Sequence, residues 1–182
     1  MPDYIFDTTA LSNFAAVGRI DLLATRYRGV ASITVEVSDE LRSGVNAGYA
    51  YLELVLQGIK GSGSGGWLHV LAPTSADEQR LRTDFDQQLD PGESSCLALA
   101  ISRGLTFVTD DLAARRLATQ RRVSLTGTLG ILIALVRDDA LSLVEANDIL
   151  TEMIQRRYRA PVDRLDELIG HFPFLKRPYR QP

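Results

Sequence analysis

An α/β fold, with a central parallel sheet of about four to five short strands covered by helices on both faces, is what this sequence predicts. Two observations carry the prediction. Apolar runs of about three to five residues alternate along the chain with longer segments of helical period. The clearest buried strand, residues 105–108, lies between two such helical segments, as a strand in a parallel sheet must.

Residues 4–6, Tyr4-Ile5-Phe6, form the first strand and end at Asp7. Residues 8–16 then read as a helix, and 20–27 carry a second helical stripe through Ile20, Leu23 and Ala24. A strand at 30–33 precedes a helix from about 35 to 42, and 49–59 read as one further helix. Residues 67–71 are strand-like. A charged amphipathic helix is expected over 75–89 and a more apolar one over 91–103, through Leu97, Leu99 and Ile101. After strand 105–108 come a helix at 112–120, a short strand at 123–125, and helices at 129–136 and 143–157. Residues 1–140 are read as the functional domain, with 141–182 a helical extension and tail packed on it. The tail from Pro161 holds four of the seven prolines and is expected to wrap the surface. The run Gly61-Ser62-Gly63-Ser64-Gly65-Gly66 follows a helix and precedes a strand, the reverse of a phosphate-cradling loop, so it reads as a connector.

Composition excludes several classes. Hydrophobic residues make up 45% and charged residues 24%, the balance of a soluble globular protein. A single cysteine, Cys96, permits no internal disulfide and suits a reducing cytoplasm. The first residues lack the pattern of a signal peptide, and no apolar run spans a bilayer. A net charge of −3 argues against a general nucleic-acid coat. Basic residues nevertheless cluster at Arg115, Arg116, Arg121 and Arg122, and again at Arg156, Arg157, Arg159 and Arg164.

The chemistry-bearing residues are acids. In an open parallel sheet, ligands collect at the carboxyl ends of the strands. Asp7 ends the first strand, Asp110 and Asp111 end the fourth, Glu40 lies on the helix after the second, and Glu93 opens the helix at Pro91. Each has a structural explanation of its own. Asp7 or Asp110 could cap a helix, Asp90-Pro91-Gly92-Glu93 reads as a capping box, and Glu36 competes with Glu40. Gathered in one cleft, such acids repel one another and call for a divalent cation. Oxygen-only ligands select magnesium or manganese. His69 and His171 lie far from the acids in sequence, which speaks against zinc and against histidine-based RNA cleavage.

Four segments in order resemble the PIN-domain family. They are Ile5-Phe6-Asp7-Thr8-Thr9-Ala10-Leu11-Ser12, then Ser32-Ile33-Thr34 leading to Glu40-Leu41. The third is Leu89-Asp90-Pro91-Gly92-Glu93-Ser94-Ser95, and the fourth Phe107-Val108-Thr109-Asp110-Asp111 with Ala114-Arg115-Arg116-Leu117-Ala118. The resemblance implies a three-layer α/β/α domain and a magnesium- or manganese-dependent endoribonuclease. Many relatives are VapC-like toxins of toxin–antitoxin pairs, inhibited by a small antitoxin protein. The matching site acids are Asp7, Glu40, Glu93 and Asp110. Asp7, Glu93, and Asp110 or Asp111 are expected on the metal, and Thr9, Ser12, Thr109, Arg115 and Arg116 on the RNA or positioning the acids. Family members commonly dimerise, and Tyr49, Tyr51 and Leu52 are a candidate contact surface. The reading that competes is a PIN-like module that binds RNA or protein without cutting. A phosphatase is disfavoured because Thr9 stands where a second acid is needed, and a dinucleotide enzyme because no glycine fingerprint follows the first strand.

Overall fold

The computed structural model describes residues 3–61 and 66–169. Five short strands, β1 (Tyr4–Phe6), β2 (Ala31–Thr34), β3 (Leu68–Leu71), β4 (Thr106–Val108) and β5 (Leu125–Thr126), pair in parallel in the order β3-β2-β1-β4-β5. The chain thus starts in the middle of the sheet, builds outward to β3, and returns to β4 on the other side of β1. The direction of winding reverses between β1 and β4. In open α/β sheets the carboxyl ends at such a reversal are where ligands collect. Register puts Phe6 opposite Val108, and the Asp7 N–H continues the ladder onto Val108 O at 3.1 Å.

Nine α-helices are described: α1 (Thr8–Ala16), α2 (Ile20–Tyr27), α3 (Val35–Asn46), α4 (Glu53–Leu56), α5 (Ala76–Phe85), α6 (Pro91–Arg103), α7 (Leu112–Gln120), α8 (Thr128–Arg137) and α9 (Leu143–Gln155). Helix α6 packs on β1, β2 and β4 and touches α3, α5 and α7, whereas α1 contacts α2, α4, α8 and α9. This is the three-layer arrangement the sequence predicts. Strands β1 and β2 are buried at every position because both sheet faces are covered. The core runs through Ile5, Phe6, Ile33, Leu97 and Phe107. No helix among the described residues is long and apolar enough to cross a membrane.

Local chemistry sets the helix ends. Ser75 with Glu78, and Ser142 with Glu145, form capping boxes that start α5 and α9. Gly104, at φ 66°, ends α6 in the left-handed conformation that glycine adopts without strain. Two expectations change. Residues 49–59 do not make one helix but a 3-10 turn, Ala50–Leu52, followed by the single turn of α4. The chain then turns at Gly58, where a β-carbon would lie 2.3 Å from Trp67 Nε1, so close tertiary packing overrides the local helical pattern. The charged helix stops at Phe85 rather than residue 89, because Phe85 and Leu89 are drawn into the core. Most of the glycine-serine run, residues 62–65, and the tail from 170 onward lie outside the described residues. Past α9, Leu165 is buried, and its N–H donates to Asn147 Oδ1 on α9 at 2.8 Å.

Candidate functional site: an acidic centre at the strand ends

Asp7 sits at the carboxyl end of β1, where α1 begins. Its Oδ1 accepts from Thr9 N–H at 2.9 Å and from the Thr9 hydroxyl at 2.6 Å, so it caps α1. The side chain is almost wholly buried, and Oδ2 has no hydrogen-bond partner. Burial pushes the Asp7 carboxyl up to about 7; the Thr109 and Thr9 hydroxyls pull it down, and the Asp110 charge adds to the rise.

Glu93 enters from the first turn of α6. Its Oε2 accepts from Asp90 N–H at 3.3 Å, the capping-box bond that Asp-Pro-Gly-Glu predicts. Burial pushes Glu93 up to about 7, with the charges of Asp111 and then Asp7 contributing. Two carboxyls on different elements are therefore both poised near neutrality and repel each other. Glu93 and Asp111 also line an open acidic cleft of about 410 Å³ with Asp86 and Asp90.

Glu40 and Asp110 are bound differently, each by a helix N-terminus. Glu40 Oε1 accepts from Gly92 N–H at 2.8 Å, and Oε2 from the Thr8 hydroxyl at 2.5 Å. A β-carbon at Gly92 would lie 2.5 Å from both Glu40 oxygens, so glycine here makes room for the carboxylate. Glu36 forms an ion pair with Arg82 at 2.7 Å instead. Asp110 Oδ2 accepts from Thr128 Oγ1 at 2.5 Å and Asn13 Nδ2 at 3.2 Å. Its Oδ1 accepts from Thr128 N–H at 3.0 Å and Tyr158 OH at 3.3 Å. Asp111, not Asp110, caps α7, with Oδ1 accepting from Ala114 N–H at 2.8 Å.

The expected hydroxyls and cations divide in the same way. Thr9 Oγ1 donates to Asp7 and accepts from Asp110 N–H at 3.0 Å, which links the two acid-bearing turns. Thr109 is fully buried and its Oγ1 accepts from Asp111 N–H at 3.0 Å, so it shapes the turn. Arg115 Nη1 faces inward onto Thr109 O at 2.8 Å and Thr126 O at 3.3 Å. Arg116 is exposed, and Ser12 is half-buried on α1. Cys96 is buried beneath the centre, its thiol donating to Phe6 O at 3.4 Å. Sequence reading missed Thr8, Gly92, Asn13, Thr128 and Tyr158. For Thr128 a signal existed, since it opens a helix directly after a strand end, the position that holds ligands and acids in this kind of sheet.

Every donor in the centre is oxygen, and the buried Asp7 Oδ2 lacks a partner, which fits a hard divalent cation. Among the described residues, no three His, Cys, Asp or Glu side chains close on one point.

In fold, the chain is similar to PAE2754 from Pyrobaculum aerophilum, at 21% identity and a TM-score of 0.50 over 77% of this chain and 97% of that one. VapBC2 from Rickettsia felis, solved bound to a DNA fragment from their promoter, matches at 18% identity and a TM-score of 0.44, over 68% of this chain and 97% of that one. No curated protein matches the chain. A family model described as PIN domain (DUF3368) matches residues 3–172, across all five strands and past α9. With its strand order and the acids at its strand ends, the chain belongs to the PIN-domain family.

Proposed function

We propose that this protein is a metal-dependent endoribonuclease whose reacting centre is built on Asp7. The carrying observation is the buried, partnerless Asp7 Oδ2 beside Glu93, a second acid held near neutrality by burial and by neighbouring charge. Burying a carboxylate oxygen without a donor is costly, and a cation offsets that cost. In this reading Asp7 and Glu93 hold magnesium or manganese, with Asp111 contributing from the lip of the cleft. The bound ion would supply charge neutralisation and a water of lowered pKa for phosphodiester hydrolysis. Glu40, held by Gly92 N–H and Thr8, orients the attacking water. Asp110 supports the turn that carries Asp111. Arg116, exposed on α7 behind the acids, contacts the RNA backbone, a task that arginine's paired donors suit. The same reading includes a small antitoxin protein seated in the acidic cleft and a homodimer in the cytoplasm. The extension that begins at residue 141 then packs, over its described residues to 169, on the catalytic domain. The cleft of acids and the resemblance of the four segments to the PIN-domain family, many members of which are VapC-like toxins, support the antitoxin part of this reading.

A non-cutting PIN-like binding module is the second reading. It draws on Glu40 and Asp110, whose oxygens are already occupied by protein donors. Cleavage of labelled single-stranded RNA with magnesium, manganese or EDTA separates the two. The nuclease reading expects metal-dependent cutting that Asp7→Asn and Glu93→Gln both abolish. A folded wild type that cuts no better than these variants refutes it and leaves the binding module.

A further inference from the structure

Tyr158 lies outside the four motifs, three residues past the end of α9, yet its hydroxyl reaches the acidic centre. The chain is turned back to make this contact. Tyr158 N–H bonds to Met153 O at 2.9 Å and Arg157 N–H to Ile154 O at 2.9 Å, the paired bonds of a Schellman turn. The left-handed position of that turn is held by Arg157 at φ 77°, where glycine is the unstrained choice. Asp110, the acceptor, is tightly enclosed: a β-carbon on Gly127 would lie 2.5 Å from its Oδ1. From Asp110 the hydrogen bonds continue. Its N–H donates to Thr9 Oγ1, and the Thr9 hydroxyl donates to Asp7 Oδ1. One connected path thus runs from the C-terminal segment to the central carboxylate.

We infer that Tyr158 is a positioning residue: by donating to Asp110 Oδ1 it fixes the turn through which Thr9 orients Asp7, so that the segment after α9 completes the centre. The effect on metal rests on the proposed function; the effect on the turn does not. The test compares wild type, Tyr158→Phe, Asp110→Ala and the double variant. Hydrogen exchange of the Asp110 and Thr9 amides is read on metal-free protein, and manganese affinity by calorimetry.

Tyr158→Phe keeps the ring and its packing. It is expected to speed exchange at Asp110 and Thr9 about 10-fold relative to amides of the distant strand β3, and to weaken manganese binding about 10-fold, as loss of a supporting partner does. Adding Tyr158→Phe to Asp110→Ala, which removes the acceptor, should then cost little more, because the two act through one bond. Unchanged exchange at both amides overturns the inference, as does unchanged affinity in a wild type that binds manganese. A full additional loss in the double variant does the same. If wild type binds no manganese, the metal reading fails, and faster exchange confined to Asp110 and Thr9 still upholds the positioning role.

Discussion

Replacing Asp7 by Asn should stabilise the metal-free protein above neutral pH while abolishing its response to metal. The sign follows from the direction of the shift. Burial raises the Asp7 carboxyl from 3.8 to about 7, so the folded chain holds the proton more tightly than the unfolded chain. The Asp7 contribution to stability is therefore greatest below about pH 4, falls as the pH rises toward 7, and levels off above. At 1.36 kcal/mol per pH unit, that interval comes to about 4 kcal/mol. Asn cannot ionise, and its carbonyl can keep the Thr9 bonds. Its Nδ2, however, would sit where Oδ2 has no partner, a cost of about 1–3 kcal/mol. The net gain at pH 8 is about 1–3 kcal/mol, or several degrees in Tm for a chain of this size. Urea unfolding in EDTA at pH 8 and at pH 4 measures it, and at the lower pH the gain should reverse to a deficit of up to about 3 kcal/mol, because only the Nδ2 cost remains there. Saturating manganese should stabilise wild type by about 3 kcal/mol at one hundred times its Kd and leave the variant unmoved. A variant no more stable than wild type at pH 8, or equally stabilised at both pH values, refutes the reasoning.

Glu78→Gln tests the opposite linkage. Arg103 at 2.7 Å, with the Thr74 and Ser75 N–H groups, holds Glu78 well below the usual carboxylate range. Its contribution is present above pH 4.5 and lost as the pH falls, so the variant should be about 1–3 kcal/mol less stable at pH 7, with the gap closing in acid unfolding. Gly92→Ala places a β-carbon against Glu40 and should lower cleavage about 10-fold or more, while circular dichroism shows an intact fold. The two neighbouring arginines should separate in a paired assay. Arg115→Ala should destabilise by about 1–2 kcal/mol through its lost carbonyl contacts, whereas Arg116→Ala should weaken RNA binding with Tm almost unchanged.

Much of the fold was legible because burial on both faces of a parallel strand leaves continuous apolar runs. Tyr4-Ile5-Phe6 and residues 105–108 announce themselves in that way, and the acids that follow them necessarily arrive at one edge of the sheet. Asp-Pro-Gly-Glu likewise declares a helix start whichever role Glu93 plays. The pattern could not show that residues 49–59 break at Gly58, because the obstacle is Trp67, a side chain brought in by β3.

The same limit divides the acids. Sequence by itself determined that this is a parallel α/β domain with Asp7, Glu40, Glu93 and an Asp pair near its strand ends. Tertiary structure alone decided which of them are satisfied. Asp110 draws its donors from α1, from α8 and from beyond α9, and Glu40 draws one from α6 fifty-two positions away. It also turned Arg115 inward and left Arg116 outside. Periodicity reports which face of an element is apolar, and that is a local property of the chain. Which donor meets which carboxylate depends on how distant elements close around the sheet, and no local pattern encodes that.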